Sequence, residues 1–90
     1  MPIPYNLKTT NAEVPPSLVE YLEEKLASLE HFFNADDQSL MCNVELEKTT
    51  DHHRSGRVYR VEVNLRTAGK QFRATATEES FETAVDSVKA

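Results

Sequence analysis

Six basic side chains and one acidic side chain fall between residues 54 and 77: Arg54, Arg57, Arg60, Arg66, Lys70 and Arg73, with Glu62 among them. The flanks reverse this balance. Residues 1–53 hold three basic and ten acidic side chains, and residues 78–90 hold one and four. The chemistry available to such a segment is anion binding. A guanidinium fork matches two phosphate oxygens, whereas a lysine ammonium acts as a point charge. Contacts of this kind supply sequence-independent affinity for nucleic acid. The formal net charge of −5 opposes such a partner for the chain as a whole, yet the abrupt change of sign defines a local patch. The competing use of the same arginines is cross-strand pairing with Glu62, Glu45 and Glu47.

Other reactive residue types are sparse. His52 and His53 follow Asp51, with His31 far away in sequence. Adjacent histidines in a polar stretch point in different directions, and no third ligand follows at a useful spacing, so no metal site is expected. Cys42, the one cysteine, alternates with apolar residues and reads as a small buried hydrophobe rather than a nucleophile. Ser55-Gly56 is not a nucleophile elbow, and the chain has no glycine-rich phosphate loop. No catalytic set, cofactor or small-molecule substrate emerges.

The elements that would position the basic segment follow from periodicity. Ile3, Tyr5 and Leu7 alternate with polar residues, predicting a strand over about residues 3–9 that, because of Pro4, sits at a sheet edge or starts outside the pairing. Pro15-Pro16 opens a helix, since proline suits a first turn whose amides lack partners. Leu18, Leu22, Leu26, Leu29 and Phe33 form one stripe along that helix, and Asn34 is a suitable left-handed cap. Leu40, Cys42, Val44 and Leu46 mark a second strand. The polar stretch 49–56 (TTDHHRSG) reads as a loop. Tyr59, Val61, Val63 and Leu65 mark a third strand. After a tight turn at Thr67-Ala68-Gly69, Phe72, Ala74 and Ala76 mark a fourth. Thr77 is the expected N-cap of a second helix, with Glu78 and Glu79 beside its positive end. Phe81, Ala84, Val85 and Val88 form its stripe, and it is expected to run from Thr77 to Ala90.

Each strand has one apolar face, so each needs cover on one side and water on the other. The first two strands can pair in parallel across the helix, and the last three form an antiparallel meander. The expected fold is α+β: a two-layer β-α-β-β-β-α sandwich, with a four-stranded mixed sheet and both helices on one face. Leu18, Leu22, Leu26, Leu29, Val44, Leu46, Val61, Val63, Phe72, Phe81, Ala84 and Val85 are expected between the layers. Arg60, Arg66 and Arg73 then project from the solvated face.

Ninety residues, 39% hydrophobic and 28% charged, describe one domain with a single core. No stretch approaches the apolar length a membrane helix needs. The amino end lacks a signal-peptide pattern. One cysteine excludes an internal disulfide, and there is no Asn-x-Ser/Thr site. These features suit a reducing, cytoplasmic setting without a membrane partner.

Three segments resemble one family in order along the chain: 13–33 (EVPPSLVEYLEEKLASLEHFF), 43–48 (NVELEK), and 72–76 (FRATA) followed by 80–86 (SFETAVD). They are similar to the first helix, second strand, alternating alanine strand and second-helix start of the ribosome hibernation-promoting factors. That family is also called the ribosome-associated inhibitor or sigma-54 modulation family. Three differences stand out. Glu82 occupies the place of a usual tyrosine, with Phe81 beside it. The family's second helix continues into a Lys/Arg-rich end, and its longer members add a dimerisation domain; this sequence carries neither.

The resemblance implies one ribosome-binding domain over 1–90, its second helix cut short. It implies a non-enzymatic protein that occupies the messenger- and transfer-RNA channel of the small subunit, inhibits translation and promotes hibernation under stress. The RNA-binding candidates are Lys25, which the resemblance supports, and Arg54, Arg57, Arg60, Arg66, Lys70 and Arg73 of the basic segment. Lys25 has a competing role as a helix-surface partner of Tyr21 and Leu29. The alternative function is a protein-interaction module that uses the open sheet face or edge without RNA, including weak self-association through a sheet edge.

Overall fold

A computed structural model describes residues 4–28, 39–49 and 56–88. Its elements are β1 (Tyr5–Thr10), α1 (Pro16–Ser28), β2 (Met41–Lys48), β3 (Tyr59–Thr67), β4 (Lys70–Glu78) and α2 (Phe81–Ser87). The sheet order is β1-β2-β3-β4. β1 pairs in parallel with β2, Leu7 opposite Val44. β2–β3 and β3–β4 are antiparallel. This is the mixed, four-stranded α+β sandwich that the periodicity predicts. No helix among the described residues is long and apolar enough to cross a membrane.

Local chemistry explains the boundaries. The Pro15 carbonyl accepts from the amides of Leu18 and Val19 at 3.0 and 3.3 Å, so Pro16 takes the first helical position, where its missing N–H costs nothing. The stripe of Leu18, Leu22 and Leu26 is buried under α1. Gly69, at φ +79°, supplies the left-handed conformation that joins β3 to β4 in two residues. The Thr49 amide donates to the Val58 carbonyl at 2.7 Å and closes the base of the β2–β3 connection.

One core joins both helices to the sheet. It contains Leu18, Leu22, Leu26, Leu40, Cys42, Val44, Leu46, Val61, Val63, Leu65, Phe81, Ala84 and Val85. Tyr59 meets Phe81 edge-to-face at 4.9 Å, which anchors the start of α2. Cys42 is fully buried, and burial pushes its thiol pKa up to about 11, as suits a packed hydrophobe rather than a nucleophile.

Three expectations need correction. Phe72, placed in the core by its parity, is 44% exposed. It lies on an edge strand, and α2 spans only seven residues, roughly 10 Å. That helix starts beyond Glu78 and covers the Ala76 end of β4 rather than the Phe72 end. Thr77 is not the N-cap. β4 runs on to Glu78 because Tyr59 still pairs with it, and the helix begins after Ser80. The Ser80 hydroxyl accepts from the Thr83 amide at 3.1 Å. Glu82, rather than Glu78 or Glu79, therefore sits in the first turn. The second helix is two turns long instead of running from Thr77. Ile3, Leu29, the helix end at Phe33, the Asn34 cap, His31, the Asp51-His52-His53 run, Arg54 and Ala90 lie outside the described residues.

Candidate nucleic-acid interface

Strand alternation sends Val61, Val63 and Leu65 into the core, which puts Arg60, Glu62, Asn64 and Arg66 on the opposite, uncovered face. The register extends this face into rows across the sheet. Asn6, Asn43, Asn64 and Arg73 form one row; Lys8, Glu45, Glu62 and Thr75 the next; Thr10, Glu47, Arg60 and Thr77 a third. Four basic side chains and three glutamates therefore interleave on one surface.

Glu62 is the hub. Its Oε1 accepts from Arg73 Nη2 at 2.6 Å and Nε at 3.1 Å, and from Arg60 Nη2 at 2.9 Å. Its Oε2 accepts from Asn64 Nδ2 at 3.2 Å. Arg60 also lies 3.7 Å from Glu45 and 3.6 Å from Glu47, and Glu45 accepts from Thr10 at 3.0 Å. The Glu62 side chain is 12% exposed, Arg60 26% and Arg73 64%. Arg60 is thus held within the network, whereas Arg73 reaches out of it.

The Arg73 guanidinium, with Arg60 and Asn64, holds the Glu62 carboxyl below its ordinary pKa despite its burial. A lowered folded pKa contributes stability at pH values above the ordinary carboxylate range. That contribution is lost as pH falls through the folded value. The expected result is a decline in melting temperature on acidification from neutral to about pH 3, and a shallower decline in the Glu62→Gln variant. Parallel curves for the two proteins would remove Glu62 from the acid-sensitive groups.

The remaining candidates are dispersed. Arg66 is exposed on the same face, opposite Met41 and Gln71. Arg57 precedes β3, and Lys70 begins β4 at the far end of the hairpin, roughly 30 Å of strand away. Arg57, Arg66 and Lys70 are exposed and make no ion pair with a described residue. The basic groups are therefore strung along the β3–β4 hairpin, Arg66 and Arg73 on its open face and Lys70 on the parity of Phe72, rather than gathered in a compact pocket. Lys25 is not among them. Its Nζ sits 3.0 Å from Asp86 Oδ1 and 5.7 Å from the Tyr21 ring centroid, and the Tyr21 hydroxyl donates to the same oxygen. These groups tie α1 to α2 on the helical layer, and the hydrogen bond to Asp86 raises the Lys25 and Tyr21 pKa values.

Sequence reasoning missed the asparagine row. Asn6, Asn43 and Asn64 line a shallow depression of about 300 Å³ with Leu7, Lys8, Val44, Glu45 and Glu62. Asn6 Nδ2 donates to Asn43 Oδ1 at 3.2 Å. Strand alternation marks each asparagine as outward-facing, but only the register reveals that the three align. Among the described residues, no group of His, Cys, Asp and Glu side chains is placed to hold a metal ion.

The family model for the sigma 54 modulation protein / S30EA ribosomal protein matches residues 5–90. This chain belongs to that family. Its members are ribosome-associated binding proteins rather than enzymes. The fold is similar to that of the Thermus thermophilus Protein Y N-terminal domain, with a TM-score of 0.71 and 22% identity over 93% of this chain and 84% of that one. It is also similar to a ribosomal subunit interface protein from Coxiella burnetii, with a TM-score of 0.62 and 18% identity over 91% and 82% of the two chains. A search of curated proteins gave no significant match.

Proposed function

We propose that this protein binds the small ribosomal subunit through ribosomal RNA, occupies the messenger- and transfer-RNA channel, and holds ribosomes in a reversible idle state under stress. The observation that carries the reading is the family match over residues 5–90. The basic hairpin supplies a chemistry for it. Arg57, Arg66, Lys70 and the outer part of Arg73 offer charge to successive phosphates along an extended backbone, while Arg60 and Glu62 fix the geometry from below. A ribosomal partner would place the protein in the cytoplasm, with residues 1–90 acting as one binding domain. Arg54 belongs to the same stretch of sequence and extends the proposed contact set; Lys25 would reach RNA only from the helical layer.

A second reading draws on the same ion pairs. Arg60 and Arg73 already have carboxylate partners, as expected if the open face or edge meets a protein instead. Co-sedimentation with purified small subunits at low and physiological salt separates the two. Binding that falls steeply with salt supports RNA contact. Salt-insensitive binding supports strand addition, which relies on backbone hydrogen bonds. No binding at low salt overturns the ribosomal reading.

A further inference from the structure

β4 is the outer strand of the sheet opposite β1. It is nine residues long, contains no proline, and keeps an unbroken register with β3 from Lys70 to Glu78. Natural sheet edges are commonly blunted by prolines, bulges or shortening. The β1 edge has only six residues and follows Pro4. The two-residue turn closes on the pair Thr67–Lys70, which therefore exchanges hydrogen bonds, as do alternate pairs beyond it. Lys70, Phe72, Ala74, Ala76 and Glu78 thus bond to β3. The amides and carbonyls of Gln71, Arg73, Thr75 and Thr77 point away from the sheet.

We propose that β4 pairs with β4 of a second copy of this chain, antiparallel about a two-fold axis through Ala74, to form a continuous eight-stranded sheet. In this register the outward groups of Gln71 meet those of Thr77 in the second copy, and those of Arg73 meet those of Thr75. Lys70 lies opposite Glu78 of the second copy, so the basic start of the strand faces its acidic end at both ends of the interface. Phe72, 44% exposed, lies opposite Ala76 of the second copy. That is the end of β4 covered by α2, so each copy's helix lies beside the Phe72 ring of the other.

Neighbouring registers are worse. A shift one way sets Arg73 directly against Arg73 of the second copy. A shift the other way sets Phe72 against Glu78. In the preferred register the two Arg73 side chains are diagonal, and each keeps its own Glu62 at 2.6 Å. One strand pair buries little area, so the dimer belongs to the weak, transient class. The polar sheet face stays open in the dimer, and Lys70 is the proposed RNA contact whose side chain the interface also uses.

Sedimentation velocity of the full chain over a concentration series tests it. A monomer–dimer equilibrium is expected. Thr75→Pro, at an outward-pointing amide, should abolish the dimer while circular dichroism stays that of the parent, because it spares the β3 ladder. K70E and E78K should each weaken dimerisation by placing like charges together. The double variant K70E/E78K, or an equimolar mixture of the two single variants, should restore it. This charge-swap series is decisive even if Thr75→Pro fails to fold. A chain that stays monomeric up to ~1 mM, a dimer indifferent to Lys70→Glu, or a double variant without recovery would each overturn the proposal.

Discussion

Leu22→Ala should destabilise the domain by about 2–5 kcal/mol, the transfer and cavity cost of truncating a buried leucine. Leu22 is 1% exposed at the centre of the α1 stripe, facing the sheet that its helix covers. A chain of this size has a total stability on the order of 5–13 kcal/mol, so one side chain accounts for a large fraction of it. Chemical denaturation should show a lower midpoint with an unchanged slope, the mark of a stability change within a two-state transition. Phe72→Ala is the informative contrast. Phenylalanine is larger than leucine, but with Phe72 44% exposed its truncation should cost less. If Phe72→Ala proved the more damaging change, the helical layer would have to extend over that end of β4.

The double substitution Arg60→Ala/Arg73→Ala should weaken small-subunit binding similarly across unrelated RNA sequences. It should also reduce the slope of log affinity against log salt by about one, for the Arg73–phosphate pair removed. Arg73 should account for most of the loss in affinity, because its side chain is 64% exposed against 26% for Arg60. Both substitutions strip donors from Glu62, whose side chain is only 12% exposed, so some loss of folding stability should accompany them. Melting curves at the assay salt separate the two effects. A folded double variant with the parental salt slope would leave Arg60 and Arg73 as sheet-stabilising residues and move the phosphate contacts to Arg57, Arg66 and Lys70.

Most of the architecture was legible because it rests on local periodicity. Alternation in β2 and β3, and the four-residue steps of Leu18, Leu22 and Leu26, each report which face needs cover, and that requirement is met by the same residues once folded. The proline start of α1 and the glycine turn are equally local. Solvent-facing parity for Arg60, Arg66 and Arg73 follows from the same alternation. Phe72 and Thr77 misled for one shared reason. Parity says which way a side chain points, but cover depends on where a neighbouring helix begins and how far it reaches. The β3–β4 pairing extended the strand to Glu78, displaced the cap to Ser80, and left a two-turn helix over one end of an edge strand.

The candidate site divides along the same line. Charge segregation into residues 54–77 is a property of the sequence, visible by counting, and it identifies an anion-binding chemistry before any fold is known. Which cations remain available for that chemistry is a property of register. Pairing across β2, β3 and β4 set Glu62 between Arg60, Asn64 and Arg73, aligned three asparagines from different strands, and sent Lys25 to Asp86 on the other helix. Those partners lie tens of residues apart in the chain, except within the hairpin, so no local pattern encodes their distances. The sequence alone determined the sign of the patch and the face it occupies. Tertiary structure decided which arginines are held and which reach solvent, because hydrogen bonds act over about 3 Å and only folding brings those atoms within that range.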